Sequence, residues 1–164
     1  MATFKHLLVP VDTDVTGDRP LAEHLVDAAA DVAKALGAKV TLAHVALPVV
    51  EPGVLPVDGY SVAYRAMNDV LEARNASASR ALASLMERCG QRGVATETML
   101  ITRGGSVPER IVDAAAERGA DLIVLATHGR RGVSRLVLGS VAERTAHLAS
   151  KNGGPAVLLI PAGA

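Results

Sequence analysis

The chain has 164 residues, 49% of them hydrophobic, with a mean hydropathy of +0.28 and 17 basic side chains against 17 acidic ones. That length and apolar content exclude a disordered chain and predict one globular domain, residues 1–164, with its own core. Zero net charge and 2% aromatic residues argue against nucleic-acid binding, which draws on a basic excess and stacking rings.

The elements follow from apolar periodicity. Phe4 to Val11 is a short apolar run that ends Pro-Val-Asp, as a buried strand would. Leu21, Leu25, Val26, Ala29, Val32, Ala33 and Leu36 recur at helical spacing, and Gly37 follows as a stop. Lys39 to Val45 predicts a second buried strand. Leu47 to Tyr60 carries Pro48, Pro52, Gly53, Pro56 and Gly59 and reads as a loop. A long helical pattern then places Met67, Val70, Leu71, Ala78, Leu82, Leu85, Met86 and Cys89 on one apolar side, closing before Gly93. Cys89, the sole cysteine, excludes an internal disulfide and reads as a packing residue rather than a reactive thiol.

Val94 to Ile101 alternates as a strand with one wetter face. Ser106-Val107-Pro108-Glu109 predicts a capping box with proline in the first turn of a helix reaching Arg118. Asp121 to Ala126 is the next buried strand, Ser140 to Ser150 the last helix and Ala156 to Ile160 the last strand. Near-continuous apolar strands separated by helices predict an α/β fold: a doubly wound, Rossmann-like, five-stranded parallel sheet sandwiched by four helices. Ligands then belong outside the strand C-termini at the topological switch point. Asp12, the loop after Val45 and the loop after Ala126 all leave such ends.

The segment from Ala126 through Thr127-His128-Gly129-Arg130-Arg131-Gly132 to Leu138-Gly139-Ser140-Val141 concentrates the chemistry. A buried strand runs into a glycine-rich basic loop and then a helix head, where backbone N–H groups and the helix dipole favour an anion. Arg130, Arg131 and Arg135 add charge-assisted donors for the same phosphate. Glycines there also serve ordinary turns, and Ser140-Val141-Ala142-Glu143 is itself a capping box, so Ser140 has a structural reading too. His128 either touches the ligand or orients the loop. Asp12 either caps the loop that follows it or accepts hydrogen bonds from a base or sugar.

Spacing excludes several known motifs. No lysine follows Gly139, so there is no Walker A loop. The first strand ends Pro10-Val11-Asp12-Thr13 without a dinucleotide fingerprint, and no G-x-S-x-G elbow occurs. The five histidines, His6, His24, His44, His128 and His147, show no metal-ligand spacing. Apart from His128 they read as structural or surface residues.

With these residues in view, the chain resembles the universal stress protein family in its single-domain form. Nucleotide-binding members carry G-x2-G-x9-G-[ST] after the fourth strand; the matching residues are Ala126-x2-Gly129-x9-Gly139-Ser140. Lys5 to Asp12, Leu42-Ala43-His44-Val45 and Asp121-Leu122-Ile123-Val124 extend the similarity over nearly the whole chain. The resemblance implies that Pro10, Val11, Asp12 and Val45 line an adenine and ribose pocket. It implies that Ala126, Gly129, Arg130, Gly139, Ser140 and Val141 hold ribose and phosphates, with His128 inside the same loop. It further implies a homodimer paired through the last strand, Val157 to Ile160, an apolar edge followed by Pro161.

Two positions depart from the family pattern. Ala126 replaces the first motif glycine, and Asp14 stands where serine or threonine is usual. A carboxylate there repels a triphosphate unless a divalent ion such as Mg2+ bridges them. The expected function is therefore an ATP-binding regulatory module that responds to stress or energy state, at most a slow ATPase with no evident general base. The alternative is a non-nucleotide member of the same fold that acts on an unidentified protein partner. No apolar stretch reaches a membrane span and Met1 to His6 lacks a signal-peptide layout, so the expected location is cytoplasmic, without membrane or nucleic-acid partners.

Overall fold

The computed structural model describes residues 4–13, 19–46, 61–127, 138–151 and 153–161. In chain order they form β1 (His6–Pro10), α1 (Arg19–Leu36), β2 (Lys39–Val45), α2 (Ser61–Gln91), β3 (Thr96–Ile101), α3 (Val107–Arg118), β4 (Leu122–Ala126), α4 (Ser140–Lys151) and β5 (Ala156–Ile160). The five strands pair in the order β3-β2-β1-β4-β5, parallel throughout. The doubly wound α/β sandwich expected from the sequence is the one formed.

Side chains of a strand alternate between faces, so an unbroken apolar run needs cover on both sides. Leu7, Val9, Leu122 and Val124 pack against Leu25, Val26, Ala29 and Ala33 of α1 and Leu82, Leu85 and Cys89 of α2. Leu8, Ile123 and Leu125 face the other way, onto Ile111, Val112 and Ala115 of α3 and Ala149 of α4. Burial pushes the Cys89 thiol up from its ordinary pKa, consistent with a packing residue.

Local signals set the helix ends. Gly37 (φ +62°) and Gly119 (φ +64°) adopt the left-handed conformation that stops α1 and α3. At the start of α3, Glu109 Oε2 accepts the Ser106 N–H (2.9 Å), the reciprocal half of the predicted capping box. Between α1 and α2, Arg88 donates twice to Asp27 (2.6 and 2.7 Å), holding that carboxyl below its ordinary pKa.

One expectation fails in α2. Met67 and Val70 were placed on its apolar side, yet they are 59% and 54% exposed. The helix has 31 residues, about 46 Å of rise at about 1.5 Å each, whereas the seven-residue β2 spans about 23 Å. Its first turns outrun the sheet, and among the described residues its buried apolar side chains begin at Leu71, followed by Ala78 and Leu82.

A buried polar chain crosses the opposite end of the sheet from the strand C-termini. Thr41 Oγ1 donates to Glu97 Oε1 (2.8 Å) and so accepts from His6 Nε2–H (2.7 Å), which fixes the neutral tautomer of His6. Burial first, and Lys39 next, push the His6 pKa below its ordinary 6.5 despite Glu97 and Asp121 nearby. A depressed histidine pKa means the unfolded chain takes up the proton first. The contribution is therefore fully present above about pH 6.5 and is lost as pH falls from there through the folded-state value. Urea denaturation between about pH 7 and 5 should show stability falling with acid, and His6→Gln should flatten that limb. An equally steep limb in the variant would assign the acid sensitivity to another group.

Candidate nucleotide site

The strand order reverses between β1 and β4: β1, β2 and β3 build outward one way, β4 and β5 the other. The helices that follow these two strands, α1 and α4, pack on opposite faces of the sheet, the arrangement in which ligands bind beyond the strand C-termini. A parallel sheet brings all its C-termini to one edge. Pro10, Val45 and Ala126, the last residues of β1, β2 and β4, therefore share it.

At the β1 exit, Val11 is buried and its N–H donates to Ala43 O (2.7 Å), while Asp12 beyond it is exposed. His44 Nδ1 lies 3.2 Å from Val11 O and 3.4 Å from the Thr13 nitrogen. It serves the carbonyl as a donor in one tautomer or the amide as an acceptor in the other. Sequence reasoning set His44 aside for lack of metal spacing; its position one residue before Val45 was the signal that it borders the site. Among the described residues Thr13 Oγ1 is buried without a hydrogen-bond partner, an unused polar group at this same end of the sheet. Beside it, Ala46 continues the ladder past Val45, donating to Ile101 O (3.0 Å).

At the β4 exit, Thr127 N–H donates to Ile160 O (2.9 Å) and Thr127 O accepts from Gly139 N–H (2.7 Å). This second bond seats the head of α4 against the end of β4. Gly139 O then accepts the Glu143 N–H (2.9 Å), which makes Gly139 the N-cap and Ser140 the first helical residue. The sequence reading of Ser140 as the head of a capping box is thereby corrected, because Glu143 falls one position too late to complete the box. Ser140 and Val141 are exposed, and the backbone N–H groups of Ser140, Val141 and Ala142 precede the first α-helical bond. Orphan amides, an exposed hydroxyl and the positive end of a helix dipole fit an anionic group.

Of the expected site residues, Pro10, Val11, Asp12, Val45, Ala126, Gly139, Ser140 and Val141 stand along this one edge. His128, Gly129 and Arg130 lie outside the described residues, as do Arg131, Arg135 and Asp14. Among the described residues no three His, Cys, Asp or Glu side chains gather as a metal site, and no helix is long and apolar enough to cross a membrane.

Residues 3–152 match the model of the universal stress protein family. A universal stress protein of Methanocaldococcus jannaschii is 31% identical over 143 residues, covering 86% of this chain and 75% of that protein. The crystal structure of a universal stress protein family member from Burkholderia pseudomallei superposes with a TM-score of 0.67 at 30% identity, covering 99% of each chain. The universal stress protein of Archaeoglobus fulgidus, solved in complex with dAMP, superposes with a TM-score of 0.60 at 24% identity over 97% of this chain and 99% of its own. The fold and the sequence agree: this chain belongs to the universal stress protein family.

Proposed function

We propose that the chain is a single-domain, cytoplasmic, homodimeric regulatory protein that binds ATP across the C-terminal ends of β1, β2 and β4. The observation that carries this reading is the Gly139–Thr127 bond, which sets the N-terminus of α4 beside the switch point. Adenine and ribose would lie on Pro10, Val11, Asp12 and Val45, with the unpartnered Thr13 hydroxyl available to a ligand oxygen. Phosphates would meet Ala126, Gly139, Ser140 and Val141 together with His128, Gly129 and Arg130 of the connecting segment. Proteins of this fold have been solved with dAMP, with cAMP and with AMP, which supports the adenine assignment. Mg2+ would offset the repulsion between Asp14 and a triphosphate. The edge position of β5 leaves its outer side open to the same strand of a second copy.

The chain has no tryptophan and two tyrosines, so bound nucleotide would dominate its ultraviolet spectrum. Purified protein, denatured and filtered, should release adenine nucleotide, and stripped protein should bind added ATP–Mg in a calorimeter. No release together with no heat of binding would overturn the proposal.

A further inference from the structure

Arg110 lies on the buried face of α3, with 5% of its surface exposed. Among the described residues no carboxylate pairs with it, and burial works against its charge. A guanidinium taken out of water without a counter-ion is costly, so its hydrogen bonds have to justify it. Its Nη2 donates to two carbonyls, Ala46 O and Ile101 O. Its Nε is buried and has no partner among the described residues, so the group is not simply satisfied where it sits.

The two acceptors locate its role. Ile101 O already takes the Ala46 N–H, so the β2–β3 ladder is complete without arginine. What arginine adds is a hold on Ala46 O, the carbonyl that aims the chain as it leaves Val45. Arg110 thus ties the end of β2, the end of β3 and the first turn of α3 into one rigid corner. Ala46, which that corner holds, is the residue that follows Val45, the position assigned to the base.

We propose that Arg110 is a positioning residue for base recognition: by fixing Ala46 O it holds the Val45 wall in the shape that selects adenine. The inference rests on the adenine-nucleotide reading above. A fixed wall discriminates between bases because a misfit cannot be relieved by movement, whereas a loosened wall accommodates both.

The test uses the full chain with Arg110→Met, which keeps an apolar stem and removes the donors, and Arg110→Lys, which keeps the charge and one donor group. ATP–Mg, GTP–Mg and inorganic tripolyphosphate are titrated calorimetrically against each folded protein. Wild type should prefer ATP; the Met variant should lose about tenfold of that preference while its tripolyphosphate affinity is unchanged. The Lys variant should fall between. A purely structural arginine would shift the melting temperature and leave the ATP-to-GTP ratio alone, which overturns the inference, as does a wild type without base preference. A wild type that binds no adenine nucleotide removes the underlying reading instead, and that result appears before any variant is made. Should both variants fail to fold, Arg110→Gln, which keeps a neutral donor on a shorter stem, takes their place in the same titrations, and an unchanged ATP-to-GTP ratio there overturns the inference.

Discussion

Gly139→Val is expected to weaken ATP binding by about 100-fold, roughly 2.8 kcal/mol, while the fold survives. Gly139 is the N-cap of α4, its amide on Thr127 O and its carbonyl on Glu143 N–H. Valine is a poor N-cap, so the helix itself loses about 1 kcal/mol or less and the melting temperature falls by a few degrees. The larger effect is on the ligand. Phosphate reaches orphan helix amides only by close approach to the backbone, and a branched side chain at the cap stands in that path. Calorimetry with ATP–Mg on the folded variant checks the first effect and thermal melting the second. A folded variant with wild-type affinity would mean that the phosphates lie away from α4.

The difference between what the sequence reveals and what it conceals has physical causes. The strands of β1 and β4 were legible because a parallel sheet is covered on both faces, so Leu7-Leu8-Val9 and Leu122 to Leu125 are apolar without interruption. Once those strands are placed, Asp12, Val45 and Ala126 must share an edge, and the shape of the site follows from chain direction alone. The register at the head of α4 was not legible. It depends on Thr127 O capturing the Gly139 amide across a connection of many residues, and this moves Ser140 from cap to first helical position. Met67 and Val70 misled for another reason: helical spacing reports which side chains share a face, not whether a sheet lies opposite them. Arg110 was invisible because an arginine after Glu109 in a helix normally points to water. Its burial is decided by two carbonyls at the ends of β2 and β3, Ala46 O 64 residues back and Ile101 O nine residues back across the β3–α3 turn. At α4 and Arg110 a tertiary contact overrides the local pattern, and at Met67 and Val70 the contact that the pattern implies is missing.

Thr145→Val is expected to stabilise the protein by about 1–2 kcal/mol and to raise the melting temperature by a few degrees. Thr145 is fully buried on the inner face of α4, between Ala142 and Ala149, and among the described residues its hydroxyl has no hydrogen-bond partner. A helical threonine commonly returns its hydroxyl to the carbonyl four residues earlier, here Val141, but that bond is not made. The fold therefore bears the desolvation cost of a hydroxyl with nothing in return. Valine keeps the branched shape, has nearly the same helix propensity and removes the polar atom. The urea midpoint should rise with an unchanged m-value, since the surface exposed on unfolding hardly differs. A drop in stability would mean that the hydroxyl is bonded in solution, with a buried water as its partner. Thr145 lies more than a turn beyond Gly139 and Ser140 and faces the core rather than the strand C-termini. ATP affinity should therefore be the same in Thr145→Val as in wild type, so this variant moves stability alone, whereas Gly139→Val acts mainly on the ligand.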